Sequence, residues 1–137
     1  MKKKNNKSLT RVIDFTWEIL GEIPSAKNDL RFSSSGRPYH KDNAVREYKQ
    51  SFAMQTPAKY KLNIACPVMV FTTIFQKDRR RDAHNATAVI YDALETAGVI
   101  YNDRLIVKWG GTAKIDKKNP RVLISLLKVM GEEKRNY

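Results

Sequence analysis

Asp82 and His84 stand one residue apart, directly behind Arg79, Arg80 and Arg81 and just ahead of Asn85. In an extended backbone, side chains at i and i+2 point the same way, so both could address one ion. Asp103 follows the next helical stretch after a short return, Val99 to Asn102, and is the candidate third ligand. Hydrolysis of a phosphodiester calls for such a set. The substrate is anionic and repels an anionic nucleophile, and a divalent cation held by carboxylates offsets that charge and lowers the pKa of water. Magnesium prefers oxygen ligands at about 2.0–2.1 Å and keeps several waters. Lys77, Arg79, Arg80 and Arg81 adjoin these ligands, where basic groups can hold the phosphates flanking the scissile one. Asn85 and Asp92 are candidates for orienting His84 or a metal-held water from behind. A plainer reading is that Asp82 and Asn85 cap a helix, that Asp103 sits in a turn and that Asp92 is a surface aspartate.

The charge balance agrees with a polyanionic partner. Lys plus Arg number 26 against 14 Asp plus Glu, a net charge of +12. Such an excess favours phosphate backbones through counterion release, although it also suits a solubilising surface. With 42% hydrophobic and 29% charged residues, the chain of 137 residues reads as globular rather than disordered. That length suits one domain with its own core. The longest apolar run, Pro67 to Phe71, is far too short for a bilayer, and no apolar stretch follows the basic start as in a secretory signal. The lone Cys66 fits a reducing cytoplasm and reads as a small apolar strand residue. No Walker-type glycine loop is present, which argues against a nucleotide cofactor.

These residues need elements to position them. Residues 1–10 are expected to be a disordered basic arm, and 11–137 a single domain. Val12 to Ile19 alternate as a half-buried strand. Gly21 to Gly36 reads as a long loop. A helix opens at His40–Asn43, with Asp42 or Asn43 as N-cap, and ends at Pro57. Leu62 to Gln76 is β-branched and aromatic, a strand whose regular pairing begins after Pro67. Ala86, Val89, Ile90, Ala93, Leu94 and Ala97 form one helical stripe, with Asn85 as N-cap and Gly98 just beyond its end. Leu105 to Lys114 and Arg121 to Met130 read as strands joined by a turn. Gly110-Gly111 signals a bulge or a close backbone approach. The order β-α-β-α-β-β implies an α+β fold, a mixed sheet with two helices packed on one face.

The stretch Arg-Arg-Arg-Asp-x-His-Asn, then Asp92-Ala93-Leu94, Ala97-Gly98 and Asn102-Asp103, resembles the RusA family of Holliday-junction resolvases. A weaker likeness covers Ile23-Pro24-Ser25 to Asn28 and the Tyr39 to Tyr48 region. The resemblance implies a small homodimeric endonuclease, bacterial or prophage-borne and cytoplasmic. It would nick two opposing strands of a four-way junction with magnesium or manganese, in recombination and repair. A two-fold dimer presents one site twice to a nearly two-fold substrate. The resemblance makes Asp82, His84 and Asp103 the catalytic and metal-binding set. It makes Lys77, Arg79, Arg80 and Arg81, with Lys27 and Asn28, the DNA-binding set. The chain departs from the family pattern at His84, where an aspartate is usual, at Ala88, where a lysine is usual, and at Asn102, where the family has an aspartate before Asp103. An imidazole ligand shifts preference from magnesium toward manganese. Lys27, Lys77 or Lys108 are candidates to replace the lysine. Two other readings stand beside the resolvase: a non-catalytic junction- or DNA-binding protein on the same fold, and a structure-specific nuclease acting on forks or flaps.

Overall fold

The computed structural model describes residues 15–24, 30–32, 34–40, 43–79 and 83–129. The expected arm at 1–10, and Lys27, Asn28, Asp42, Arg80, Arg81 and Asp82, lie outside the described residues. Eight regular elements follow in order: β1 (Phe15–Leu20), β2 (Leu30–Phe32), β3 (Pro38–His40), α1 (Ala44–Gln55), β4 (Val68–Gln76), α2 (Ala83–Thr96), β5 (Ile106–Ile115) and β6 (Arg121–Lys128). Four strands form a mixed sheet in the order β1-β6-β4-β5. β6 runs antiparallel to both β1 and β4, while β5 runs parallel to β4. The fold is α+β, as its pattern implied.

Period-2 patterning sets the two faces of the sheet. Phe15, Trp17 and Ile19 of β1 are buried while Thr16, Glu18 and Leu20 are exposed. Val122, Ile124 and Leu126 of β6 and Val68, Val70 and Ile74 of β4 continue the buried side. Both helices pack there in one core cluster. Tyr48 and Phe52 of α1 are buried, and the predicted stripe of α2 is buried from Ala86 to Leu94. Fully burying a Leu or Ile contributes about 1.5–3 kcal/mol each, so this stripe fixes the pose of α2. On the opposite face Leu123 stays 38% and Phe71 36% exposed.

Local signals explain the boundaries. Asn43 precedes α1 with φ 54° and makes no side-chain capping bond, so its position was read correctly but not its side chain's role. Thr56 is extended, as a residue before proline must be, and its hydroxyl donates to the Phe52 carbonyl at 2.7 Å. The Gln55 side chain ties α1 to the end of β1, accepting from the Leu20 N–H at 2.7 Å and donating to the Leu20 carbonyl at 3.0 Å. Gly98 ends α2 at φ +81°, where a β-carbon would be strained.

Four expectations need correction. The Gly21–Gly36 loop contains β2, which pairs antiparallel with β3, because strands of three residues carry too little periodicity to be seen. The strand expected from Leu62 begins at Val68, with its regular pairing after Pro67 as expected. Asn63 has φ 51° and breaks extension, and Ile64 makes only an isolated bridge to Ile100. Cys66 therefore lies before the strand, half-buried against the core. Helix α2 starts at Ala83, so Asn85 sits inside its first turn and is not the N-cap. Alanine, the best helix former, extends the helix one turn beyond the stripe. Of the two readings of Gly110-Gly111, a bulge or a close approach, the close approach is the one that holds. A β-carbon on Gly111 would stand 2.3 Å from the Thr72 carbonyl oxygen, while the register shift falls at Val68/Met69.

Candidate functional site

The strands β4 and β5 with α2 between them form a βαβ unit, and this unit decides where each candidate lies. β4 ends at Gln76 and the chain leaves through Lys77 and Arg79, both exposed. His84 and Asn85 are placed by their backbone on the first turn of α2, at this same end. The chain then travels back along the sheet for 14 residues, about 20 Å at about 1.5 Å per residue. Asp103 lies beyond the far end of the helix, in a short 3-10 turn, Asp103–Leu105, just before β5.

The geometry around Asp103 is well defined. Its N–H donates to Glu95 Oε1 at 3.1 Å, which fastens the turn to the last turn of α2. Asn102 caps the turn: its Oδ1 accepts from the Arg104 N–H at 2.8 Å. An aspartate could serve equally as this acceptor, so the cap does not explain asparagine at 102. The Asp103 side chain makes no hydrogen bond or ion pair among the described residues and is exposed. Asp92 is committed elsewhere. Its Oδ2 accepts from Lys49 Nζ at 2.6 Å, joining α2 to α1.

The divalent ion that the ligand types imply must be tested against this arrangement. His84 and Asp103 sit at opposite ends of α2, and among the described residues no three His, Cys, Asp or Glu side chains converge. Along one chain, the backbone of α2 separates the positions of His84 and Asp103 by the length of the helix.

The basic residues do converge. The Asp116 N–H donates to the Gln76 carbonyl at 2.8 Å, so the turn after β5 lies beside Lys77. Lys114 near the end of β5 and Lys117 and Lys118 in the turn are exposed at the same end of the sheet as Lys77. Arg121 holds the turn rigid. Its Nη1 donates to Asp116 Oδ2 at 2.8 Å and to the Asn119 carbonyl at 2.9 Å, and its Nε donates to Glu18 Oε2 at 2.9 Å. Its guanidinium also stacks over Phe75 at 3.8 Å. The Arg121 hydrogen bond holds the Asp116 carboxyl below the ordinary aspartate value, with the Asn119 N–H adding to the effect. The turn's carboxylate is thereby occupied and its lysines face outward. Of the three lysines considered for the role at Ala88, Lys77 lies at the His84 end. Lys108 pairs with Met69 and projects from the face opposite the helices, and Lys27 lies outside the described residues.

Sequence reasoning passed over the residues between α2 and β5. Thr87, Ala88 and Tyr91 of the helix face Trp109 of the strand across a groove floored by Thr72 and Ile74. Burial pushes the Tyr91 hydroxyl up to about 12, so it is a neutral donor at physiological pH. The signal was present in the sequence as Trp109-Gly110-Gly111, an exposed aromatic beside residues with no side chain.

A family model described as endodeoxyribonuclease RusA matches residues 23–127, which span the strand, helix and 3-10 turn just described. No curated protein matches the chain.

Proposed function

Since the chain belongs to the RusA endodeoxyribonuclease family, the Holliday-junction resolvases, we propose that it nicks two opposing strands of a four-way DNA junction as a homodimer, in a divalent-metal-dependent reaction. It would act in the cytoplasm, in recombination and repair. The observation that supports this reading is the family match over residues 23–127, within which His84 begins α2 near the exit of β4 and Asp103 follows its far end.

That separation favours a pair of chains. β5 is an outer strand of ten residues with one edge unpaired among the described residues. Antiparallel pairing of two β5 strands about Gly110 and Gly111 would carry Asp103 of one copy to the Ile115 end of the other. The chain leaves β4 through Lys77 and Arg79 at that end. Each two-fold dimer would then hold two sites, each with Asp82 and His84 from one chain and Asp103 from its mate. Asp82, His84 and Asp103 would hold a divalent ion, which would supply positive charge to offset that of the phosphate. The protein's own part is positional. Lys77, Arg79, Arg80 and Arg81 hold the phosphates on one side, and Lys114, Lys117 and Lys118 extend the cationic surface along the same end.

Mixing two inactive variants tests this directly. Asp82→Asn and Asp103→Asn should each bind a synthetic junction without nicking it. After subunit exchange the mixed dimer contains one site with both carboxylates, so single, unpaired nicks should return. Mixtures that stay inactive beside an active wild type would sink the shared site. Full nicking by Asp82→Asn alone would remove Asp82 from the chemistry. The missing lysine at Ala88 favours one other reading, a junction-binding protein without activity. Wild-type protein that binds junctions yet never nicks them, with magnesium or manganese, would establish it.

A further inference from the structure

Along its outer edge β5 carries backbone N–H and C=O groups that meet no strand among the described residues. Sheet edges are blunted by charge, by proline or by short length. β5 runs for ten residues, has no proline and carries no charge between Lys108 and Lys114. Trp109, Gly111 and Ala113 lie opposite Val70, Thr72 and Ile74 of β4, and so face the helices. Lys108, Gly110, Thr112 and Lys114 take the open face. Beside Gly111 and Ala113 a slot of about 430 Å³ separates β5 from Ala88 and Tyr91 of α2. Trp109 stands at its margin, 61% exposed. The strand thus presents a large apolar knob and an apolar hollow side by side on one face.

An edge of this shape is complementary to itself, in one register. In a two-fold antiparallel pair, residues opposite one another share a face, so the residue on the axis lies opposite itself. Trp109, Gly110, Gly111 and Thr112 are the candidates for that axis. With Trp109 there, the two indoles compete for one place and neither hollow is filled. With Gly111 there, Lys108 falls opposite Lys114, and like charges directly opposed destabilise a sheet. With Thr112 there, Trp109 meets Ile115 and Gly111 meets Ala113, large against large and small against small. Gly110 on the axis sets Trp109 across from Gly111 and Lys108 across from Thr112. An aromatic ring across from a glycine fills the space that the glycine leaves and covers its backbone.

We infer that β5 pairs with the β5 of a second copy about Gly110, and that the slot between α2 and β5 is the socket for the mate's Trp109. The inference rests on the paired-chain part of the reading above and not on its chemistry. Each chain gives one indole and receives one, so the contact is made twice. The same register places the strand ends. Asp103 precedes Lys108 by the interval at which Lys117 follows Thr112, so Asp103 of one chain reaches the mate's turn that carries Lys117 and Lys118. The Asp103 carboxylate is exposed without a partner among the described residues, and both lysines are exposed. Opposite charges therefore meet at the strand ends, where the shared site is expected.

Cysteine cross-linking of the full-length chain reads the register. The one native cysteine is removed as Cys66→Ala, and Gly110→Cys, Thr112→Cys or Trp109→Cys is added singly. A β-carbon at Gly110 stands 3.4 Å from the Phe71 ring, an ordinary contact, so the first of these folds without strain. Residues opposite one another have Cα atoms about 4.5–5.5 Å apart, within reach of a disulfide. Gly110→Cys should therefore give a disulfide-linked dimer on mild oxidation, and the other two should not. In sedimentation, Trp109→Ala should dissociate about thirtyfold more readily or worse, as for loss of a central aromatic anchor, while Trp109→Phe keeps most of the affinity. Only two tryptophans are present and Trp17 is buried, so a blue shift of emission with rising concentration reports burial of Trp109. Cross-links at Thr112 or Trp109 in place of Gly110, a dimer indifferent to Trp109→Ala, or a monomeric wild type each overturn the inference. A monomeric wild type that nicks junctions leaves the nuclease reading standing without it. A dimer linked through Gly110 whose wild type never nicks a junction does the reverse.

Discussion

At the scale of single residues, His84 is the most informative position. An aspartate there adds a negative charge and an oxygen donor, both of which magnesium favours over an imidazole nitrogen. His84→Asp is therefore expected to raise nicking with magnesium relative to manganese. An unchanged ratio of the two rates would show that His84 does not touch the ion. A second residue-level prediction concerns Asp116. Its carboxyl titrates below the ordinary aspartate value because Arg121 donates to it. A depressed acid contributes stability above its unfolded value and loses it as pH falls through the native one. Asp116→Asn should thus lower the melting temperature at neutral pH. The gap from wild type should close in strong acid, where Asp116 is protonated in both folded and unfolded chains. A gap that persists there would assign the effect to shape rather than charge.

At the scale of elements, the close contact of β4 and β5 is the sharpest constraint. Gly111→Ala places a carbon 2.3 Å from the Thr72 carbonyl oxygen and 2.7 Å from its hydroxyl, so the strands must separate. A loss of about 1–3 kcal/mol is expected, measured from the urea midpoint at constant slope. An unchanged midpoint would mean that β5 shifts freely. This contact also shows what could be read from sequence. β1 and α2 were legible because Phe15, Trp17 and Ile19 keep one period and Ala86 to Ala97 another. β2 and β3 were hidden because three residues define no period. The direction of β5 was hidden as well. Asp103 is close to α2 in sequence, yet a parallel βαβ unit must carry the chain the length of the sheet before it returns. That requirement comes from the pairing of β4 with β5 and not from any spacing. The lysine turn beside Lys77 escaped for the same reason, since only the strand register brings Lys114, Lys117 and Lys118 there.

At the scale of the whole molecule, the net charge of +12 is not spread evenly, and its cluster at the β4 exit makes binding dependent on salt. Each phosphate contact contributes about 0.9 to the slope of log affinity against log salt. The double variant Lys77→Ala, Arg79→Ala should flatten that slope by about 1.8, measured by anisotropy on a labelled junction. An unaltered slope would place the DNA on another surface. The sheet has one more property, which concerns the chain during its synthesis. Among the described residues β1 has a single neighbour, β6, and the bond between Glu18 and Arg121 joins positions 103 residues apart. Ribosomes add about 5–20 residues per second, so β1 waits roughly 5–20 seconds for its partner to be made. Until then Phe15, Trp17 and Ile19 have no sheet to cover them, while β4, α2 and β5 can close on one another as soon as they emerge. The nascent chain would therefore hold a finished βαβ unit and an exposed apolar strand together, the state in which a chaperone has most to shield.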